Sequence, residues 1–166
     1  MAVHSPALRR HQVLRFAAGV ALVIPMTVNA QRAPLSANVR AACDAAISIA
    51  SKTPGIKTQR ANGTFHDERF RAPISGCRIL IDGSFKKSEK SGTPADNLHD
   101  SWQLQGWAEL ADYSADGHDG TSFAFRKGDV ACFVRGEWDG GADEPEIPPT
   151  DPYHVTIICG RAEMFN

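Results

Sequence analysis

The first thirty residues contain no acidic side chain and no cysteine, and their apolar stretch is short. That stretch, Phe16 to Ile24, covers about half of the roughly 20 residues that a membrane-spanning helix needs, and Pro25 interrupts it. The missing cysteine excludes a lipid anchor at the end of this segment. The alternative is a membrane anchor that stays on the protein, which the short apolar stretch and Pro25 disfavour.

The same thirty residues have the three parts of a secretory signal. Arg9, Arg10 and Arg15 supply a positive region, the apolar stretch follows, and Val28-Asn29-Ala30 is a small-x-small ending. We therefore predict a signal peptide at 1–30 that is cleaved after Ala30. The mature protein would be a single domain, 31–166, secreted or periplasmic and without a membrane span.

The chain also lacks the common catalytic and metal-binding motifs. It has no Gly-x-Ser-x-Gly turn, no glycine-rich phosphate loop after a strand and no Cys-x-x-Cys pair. These absences argue against a nucleophilic serine hydrolase, a P-loop enzyme and a cysteine zinc site. An enzymatic role is left uncertain and is not favoured.

Four cysteines, an even number in a small exported chain, predict two disulfides: Cys43, Cys77, Cys132 and Cys159. In the predicted strands, Cys77, Cys132 and Cys159 share a face with apolar residues. In the predicted helix, Cys43 lies on the apolar face. We predict the pairs Cys43–Cys77 and Cys132–Cys159, because strands that follow one another usually lie side by side. The rival pairing joins Cys43 to Cys132 and Cys77 to Cys159.

The pattern of apolar residues predicts an α+β domain with one N-terminal helix packed on a four- to five-stranded antiparallel sheet. Ser36 is the predicted N-cap, and the helix should end before Thr53-Pro54-Gly55. Strands are predicted at 77–81, 102–113, 121–125, 130–138 and 155–159, and long loops at 55–74, 83–100 and 139–152.

The clearest hairpin surrounds the turn from Arg126 to Asp129, with Gly128 providing a positive φ angle. The inward residues on its two strands should be buried, namely Phe123, Phe125, Val130, Cys132 and Val134.

Charge is distributed unevenly along the chain. Residues 31–90 hold 11 basic and 5 acidic side chains, whereas residues 91–166 hold 4 basic and 14 acidic ones. If the two halves interleave in space, their fields cancel. If they do not, the acidic group Asp139, Asp143, Glu144 and Glu146 would favour a cationic protein or peptide partner, and the net negative charge disfavours nucleic acid.

One segment has spaced oxygen ligands of the kind that Ca²⁺ binds: Asp112, Ser114, Asp116 and Asp119, with Gly117 for a sharp turn. The match to a calcium loop fails at its last position, where Phe123 replaces the usual glutamate. The alternative is a polar turn between two strands.

Two functions stay open on this basis. The first is a non-enzymatic extracytoplasmic binding or inhibitory module of unknown ligand, which a cross-linked domain with long loops would suit. The second is a small metal-dependent hydrolase that uses the Asp112–Asp119 loop.

Overall fold

The computed structural model of the protein describes residues 34–67, 69–70, 72–139 and 150–165. The predicted signal peptide and the cleavage point after Ala30 lie outside these residues. So do Asp143, Glu144 and Glu146 of the acidic group. Among the described helices, none is both long and apolar enough to cross a membrane.

Helix α1, Ala37–Ala50, is the helix that the sequence predicts. The hydroxyl of Ser36 accepts a hydrogen bond from the backbone N–H of Val39 and so caps its start. The buried face of the helix carries residues at the spacing of helical turns: Val39, Ala42, Cys43, Ala46, Ile49 and Ala50.

Seven strands form one antiparallel sheet in the described part of the chain. In chain order they are β1 (Lys57–Phe65), β2 (Ile74–Gly83), β3 (Ala108–Glu109), β4 (Ala115–Gly117), β5 (Gly120–Lys127), β6 (Val130–Asp139) and β7 (Thr150–Arg161). The order across the sheet is β1-β2-β7-β6-β5-β3, and β4 also pairs with β5.

Two further helices lie between β2 and β3. The short α2 is Phe85–Ser88 and α3 is Pro94–Leu104. Asp151 accepts hydrogen bonds from the hydroxyl of Ser84 and from the backbone N–H groups of Phe85 and Lys86, and thereby fixes the start of α2 against β7. Short 3₁₀ turns occupy Ala111–Tyr113 and Ala162–Phe165.

The sheet is covered by different elements on its two faces. On the first face, α1 and α3 pack over the inward residues of β2, β5, β6 and β7, with Trp102, Leu98 and Phe125 in the centre of the core. On the second face, Phe70 and Phe165 cover only part of the sheet, where they contact Phe133 and Ile158.

Both disulfides have the predicted pairing, Cys43–Cys77 and Cys132–Cys159. The first ties α1 to β2. The second joins β6 to β7, where the two cysteines are directly opposite in the strand register. The hairpin prediction is also confirmed, since its five inward residues are buried, residues 126–129 are exposed, and Gly128 has a φ of 61°.

Other sequence predictions were wrong. The sheet has seven strands and not four or five. The predicted loop at 55–74 contains β1, and the loop at 83–100 contains α2 and much of α3. The predicted strand at 102–113 begins inside α3, and only Ala108–Glu109 of it is a strand.

The strand order decides how the uneven charge is arranged in space. Strands β1 and β2 come from the basic part of the sequence and form one edge of the sheet. Strands β3 to β6 come from the acidic part and form the other edge, with β7 between the two groups. The strands from the basic part and strands β3 to β6 are therefore separated by β7 and do not alternate across the sheet.

Candidate functional site

The part of the second face that the aromatic residues leave open is a polar groove of about 430 Å³. Its lining residues come from β4, β5, β6 and the turn between β4 and β5, together with Arg69 from the loop before β2. The lining consists of Arg69, Ala115, Asp116, Gly117, Asp119, Gly120, Thr121, Ser122, Arg135, Gly136 and Glu137. We refer to it as the polar groove.

Two arginines, Arg69 and Arg135, line the polar groove. The Nε and one terminal nitrogen of Arg69 each donate to an oxygen of Asp67 at 2.8 Å, and the guanidinium lies 4.5 Å above the centre of the Phe133 ring. These bonds lower the pKa of Asp67 from its usual value, although burial opposes them, and the charge of Arg135 lowers it further. Arg135 itself forms an ion pair with Glu137.

The hydroxyl groups of the polar groove are used in local hydrogen bonds. Thr121 donates to the carboxylate of Asp116, and Ser122 donates to the backbone oxygen of Tyr113 at 3.1 Å. In the described structure neither hydroxyl contacts a histidine ring, which is the usual partner of a nucleophilic oxygen. The lining of the groove consists largely of charged and hydrogen-bonding groups.

A histidine and an aspartate lie beside the polar groove on the same open face. His154 of β7 is directly opposite both Asp82 of β2 and Glu137 of β6, and its Nδ1 lies 2.7 Å from an oxygen of Asp82. More than half of each of the two paired side chains is exposed. The sequence analysis did not find this pair, because the two residues are 72 positions apart and meet only through the β2–β7 register.

The predicted calcium ligands are divided between two cavities. Asp116 and Asp119 line the polar groove, whereas Asp112 lines a separate cavity of about 470 Å³ with Glu109 and Tyr113. Ser114 donates a hydrogen bond of 2.6 Å to Glu109.

Across the described residues, the only cluster of three or more His, Cys, Asp or Glu ligand atoms within 4.8 Å of one another is Cys43, Cys77 and Cys159, which are in disulfides. A calcium site in the Asp112–Asp119 segment stays a prediction.

The acidic group predicted to bind a partner begins at the end of β6. Asp139 is exposed there, two residues beyond Glu137 of the polar groove. Residues 140–149, which contain Asp143, Glu144 and Glu146, connect this point to the start of β7 at Thr150. The described ends of this segment, Asp139 and Thr150, are paired in the β6–β7 register.

Comparison of the chain with protein-family models, with curated proteins and with solved structures gave no significant match, so the site has to be interpreted from its own geometry.

Proposed function

We propose that the protein is a non-enzymatic binding or inhibitory module that works outside the cytoplasm and contacts a cationic protein or peptide through its acidic edge. The contact surface would comprise the polar groove and the neighbouring acidic group, Asp139, Asp143, Glu144 and Glu146. The observation that carries the proposal is the strand order, which gathers the acidic part of the chain at one edge of the sheet.

The charges in the polar groove support a cationic partner. Two of its three acidic residues, Asp116 and Asp119, are exposed, whereas Arg69 is paired with Asp67 and Arg135 with Glu137. Carboxylates that surround an open surface attract a positive partner over about a Debye length, roughly 8 Å at physiological ionic strength. The two disulfides favour an oxidising compartment for the encounter.

The binding test uses a fluorescein-labelled decalysine peptide as the probe. Replacing the acidic group by its amides (Asp139→Asn, Asp143→Asn, Glu144→Gln, Glu146→Gln) should weaken binding about tenfold, since each exposed charge contact contributes well under 1 kcal/mol and four are lost. The matched control removes four exposed acids elsewhere: Glu89→Gln, Asp100→Asn, Asp112→Asn and Glu163→Gln.

The two variants have the same net charge, so their comparison separates a local surface from a general attraction. We expect the control to bind within a few-fold of the wild type, and binding by the wild type to weaken as salt is added. Equal losses in both variants would show that no local surface exists. Elemental analysis tests the competing hydrolase hypothesis, which requires a stoichiometric metal ion.

The compartment has a separate test. Protein recovered from an exporting host should have the intact mass of a chain that begins at Gln31. A membrane-bound species that retains residues 1–30 would contradict the predicted export and cleavage.

A further inference from the structure

The outer edge of β1 is a long strand edge to which no other described strand pairs. Its nine residues, Lys57–Phe65, are hydrogen-bonded to β2 on one side, and most of their side chains are exposed. The strand contains no proline and shows no break in its register with β2. The edge of a sheet presents backbone N–H and C=O groups that an extended segment can join.

A cavity of about 820 Å³ lies beside the second half of this strand. It separates the start of α1 from the end of β1, and its walls include Leu35 and Val39 on the helix side and Gly63 and Thr64 on the strand side. Leu35 is only partly buried and offers apolar contact there, whereas Val39 belongs to the buried core. Alternate side chains of an added strand would therefore find an apolar pocket at one end of the edge.

Positive charge surrounds the same edge. Lys57 and Arg60 belong to β1, and Arg40 and Arg161 line the cavity. Asp44 pairs with Arg60, and Glu163 pairs with Arg161 at 3.3 Å. Within the described residues no carboxylate lies within 4.0 Å of Lys57 or Arg40, so these two cations are available to an acidic ligand.

We propose that the β1 edge binds an extended acidic segment of a partner protein as an additional antiparallel or parallel strand. Backbone hydrogen bonds along 57–65 would hold the segment, an apolar side chain would enter the cavity at Leu35, and acidic side chains would face Lys57 and Arg40. Pairing with a second copy through β1 is disfavoured, because it would bring together the two basic edges. This surface is at the opposite edge of the sheet from the acidic surface proposed above.

The test measures fluorescence anisotropy with three labelled nonapeptides. The first alternates glutamate with valine, the second replaces every glutamate by the neutral glutamine, and the third is the acidic peptide with proline at its centre. We expect the acidic peptide to bind and the other two to bind at least tenfold more weakly, because one loses the charge match and the other a strand hydrogen bond. Backbone amides in 57–65 should exchange more slowly with the acidic peptide bound.

The protein variant Arg40→Glu/Lys57→Glu should weaken binding of the acidic peptide about tenfold. The matched control, Arg126→Glu/Lys127→Glu, makes the same charge change on exposed residues at the β5–β6 turn and should bind within a few-fold of the wild type.

Three results would overturn the proposal: no binding of the acidic peptide at about 1 mM, equal binding of the acidic and glutamine peptides, or a dimer in light scattering whose β1 amides are already protected. The last result would assign the edge to a second copy of the chain. None of these outcomes bears on the decalysine test, which uses the other edge.

Discussion

Val134 shows how strictly one residue of β6 is constrained. Its side chain is completely buried between Ile157 of β7 and Phe123 of β5. Val134→Asp would place an unpaired carboxylate in this core, and we expect a loss of about 3–5 kcal/mol, enough to prevent stable folding. The control is Arg126→Asp, at an exposed position of β5 in the same hairpin. Its free energy of unfolding in urea should lie within about 0.5 kcal/mol of the wild-type value. A Val134→Asp protein that unfolds at the wild-type urea concentration would contradict the observed register.

The cysteines provide a second prediction about single residues. Cys77, Cys159 and Cys132 occupy one row across β2, β7 and β6, and the sulfur atoms of Cys43, Cys77 and Cys159 lie within 4.8 Å of one another. In Cys43→Ala the thiolate of Cys77 is therefore close enough to attack the sulfur of Cys159 and release the thiolate of Cys132.

We expect non-reducing peptide mapping of Cys43→Ala, after equilibration in glutathione buffer, to show a Cys77–Cys159 disulfide alongside Cys132–Cys159. The unmodified protein in the same buffer is the control and should keep only its two native bonds. If Cys132–Cys159 is the sole disulfide of the variant and Cys77 stays a thiol, Cys77 cannot exchange with that disulfide and the prediction is wrong.

Among the elements, those with one buried side could be predicted from the sequence. Helix α1, the β5–β6 hairpin and the inward faces of β2 and β7 each alternate or repeat apolar residues clearly, because one side packs into the core. Strand β1 has mostly exposed side chains on both faces, so no alternation marks it. The short β3 and β4 depend on pairing with β5, which the local sequence does not encode.

Helix α3 was missed although its sequence carries a helix start signal. Thr93, Pro94 and Asp96 form a capped N-terminus, but only Leu98 and Trp102 mark the buried face with large apolar side chains. The candidate site could be predicted only in part. Asp116 and Asp119 of the polar groove were named from the sequence, whereas Glu137, Arg69, Arg135 and the His154–Asp82 pair were not.

The start of α3 gives a prediction for this element. The hydroxyl of Thr93 accepts from the backbone N–H of Asp96 at 3.3 Å, and the Asp96 carboxylate accepts from the Thr93 backbone N–H at 2.9 Å. Thr93→Ala removes one half of this capping box and should lower the free energy of unfolding by about 1 kcal/mol in urea denaturation. Thr93→Ser keeps the hydroxyl and should retain most of the stability. Equal losses in both variants would assign the effect to the lost methyl group.

For the whole molecule, the strand order determines where the basic and acidic parts of the sequence lie in the sheet. The sequence shows the charge difference between its halves, but the sequence alone also permitted an interleaved arrangement in which the charges cancel. With β1 and β2 at one edge and β3 to β6 towards the other, the strands from the basic and the acidic part of the sequence do not alternate across the sheet. The two proposed surfaces follow from this one arrangement, although each has its own test.

Global stability should depend on both disulfides to a similar extent. They separate cysteines by 34 and 27 residues, and the chain-entropy model gives about 3.8 and 3.6 kcal/mol for loops of these lengths. We expect the double variants Cys43→Ala/Cys77→Ala and Cys132→Ala/Cys159→Ala to lose comparable stability in urea denaturation, each a large part of the total for a domain of this size. Backbone hydrogen bonds between β6 and β7 also keep Cys132 and Cys159 close together, but only in the folded protein. They therefore do not restrict the unfolded chain as the Cys132–Cys159 disulfide does. A negligible loss for Cys132→Ala/Cys159→Ala would show that the unfolded chain already keeps these two strands together.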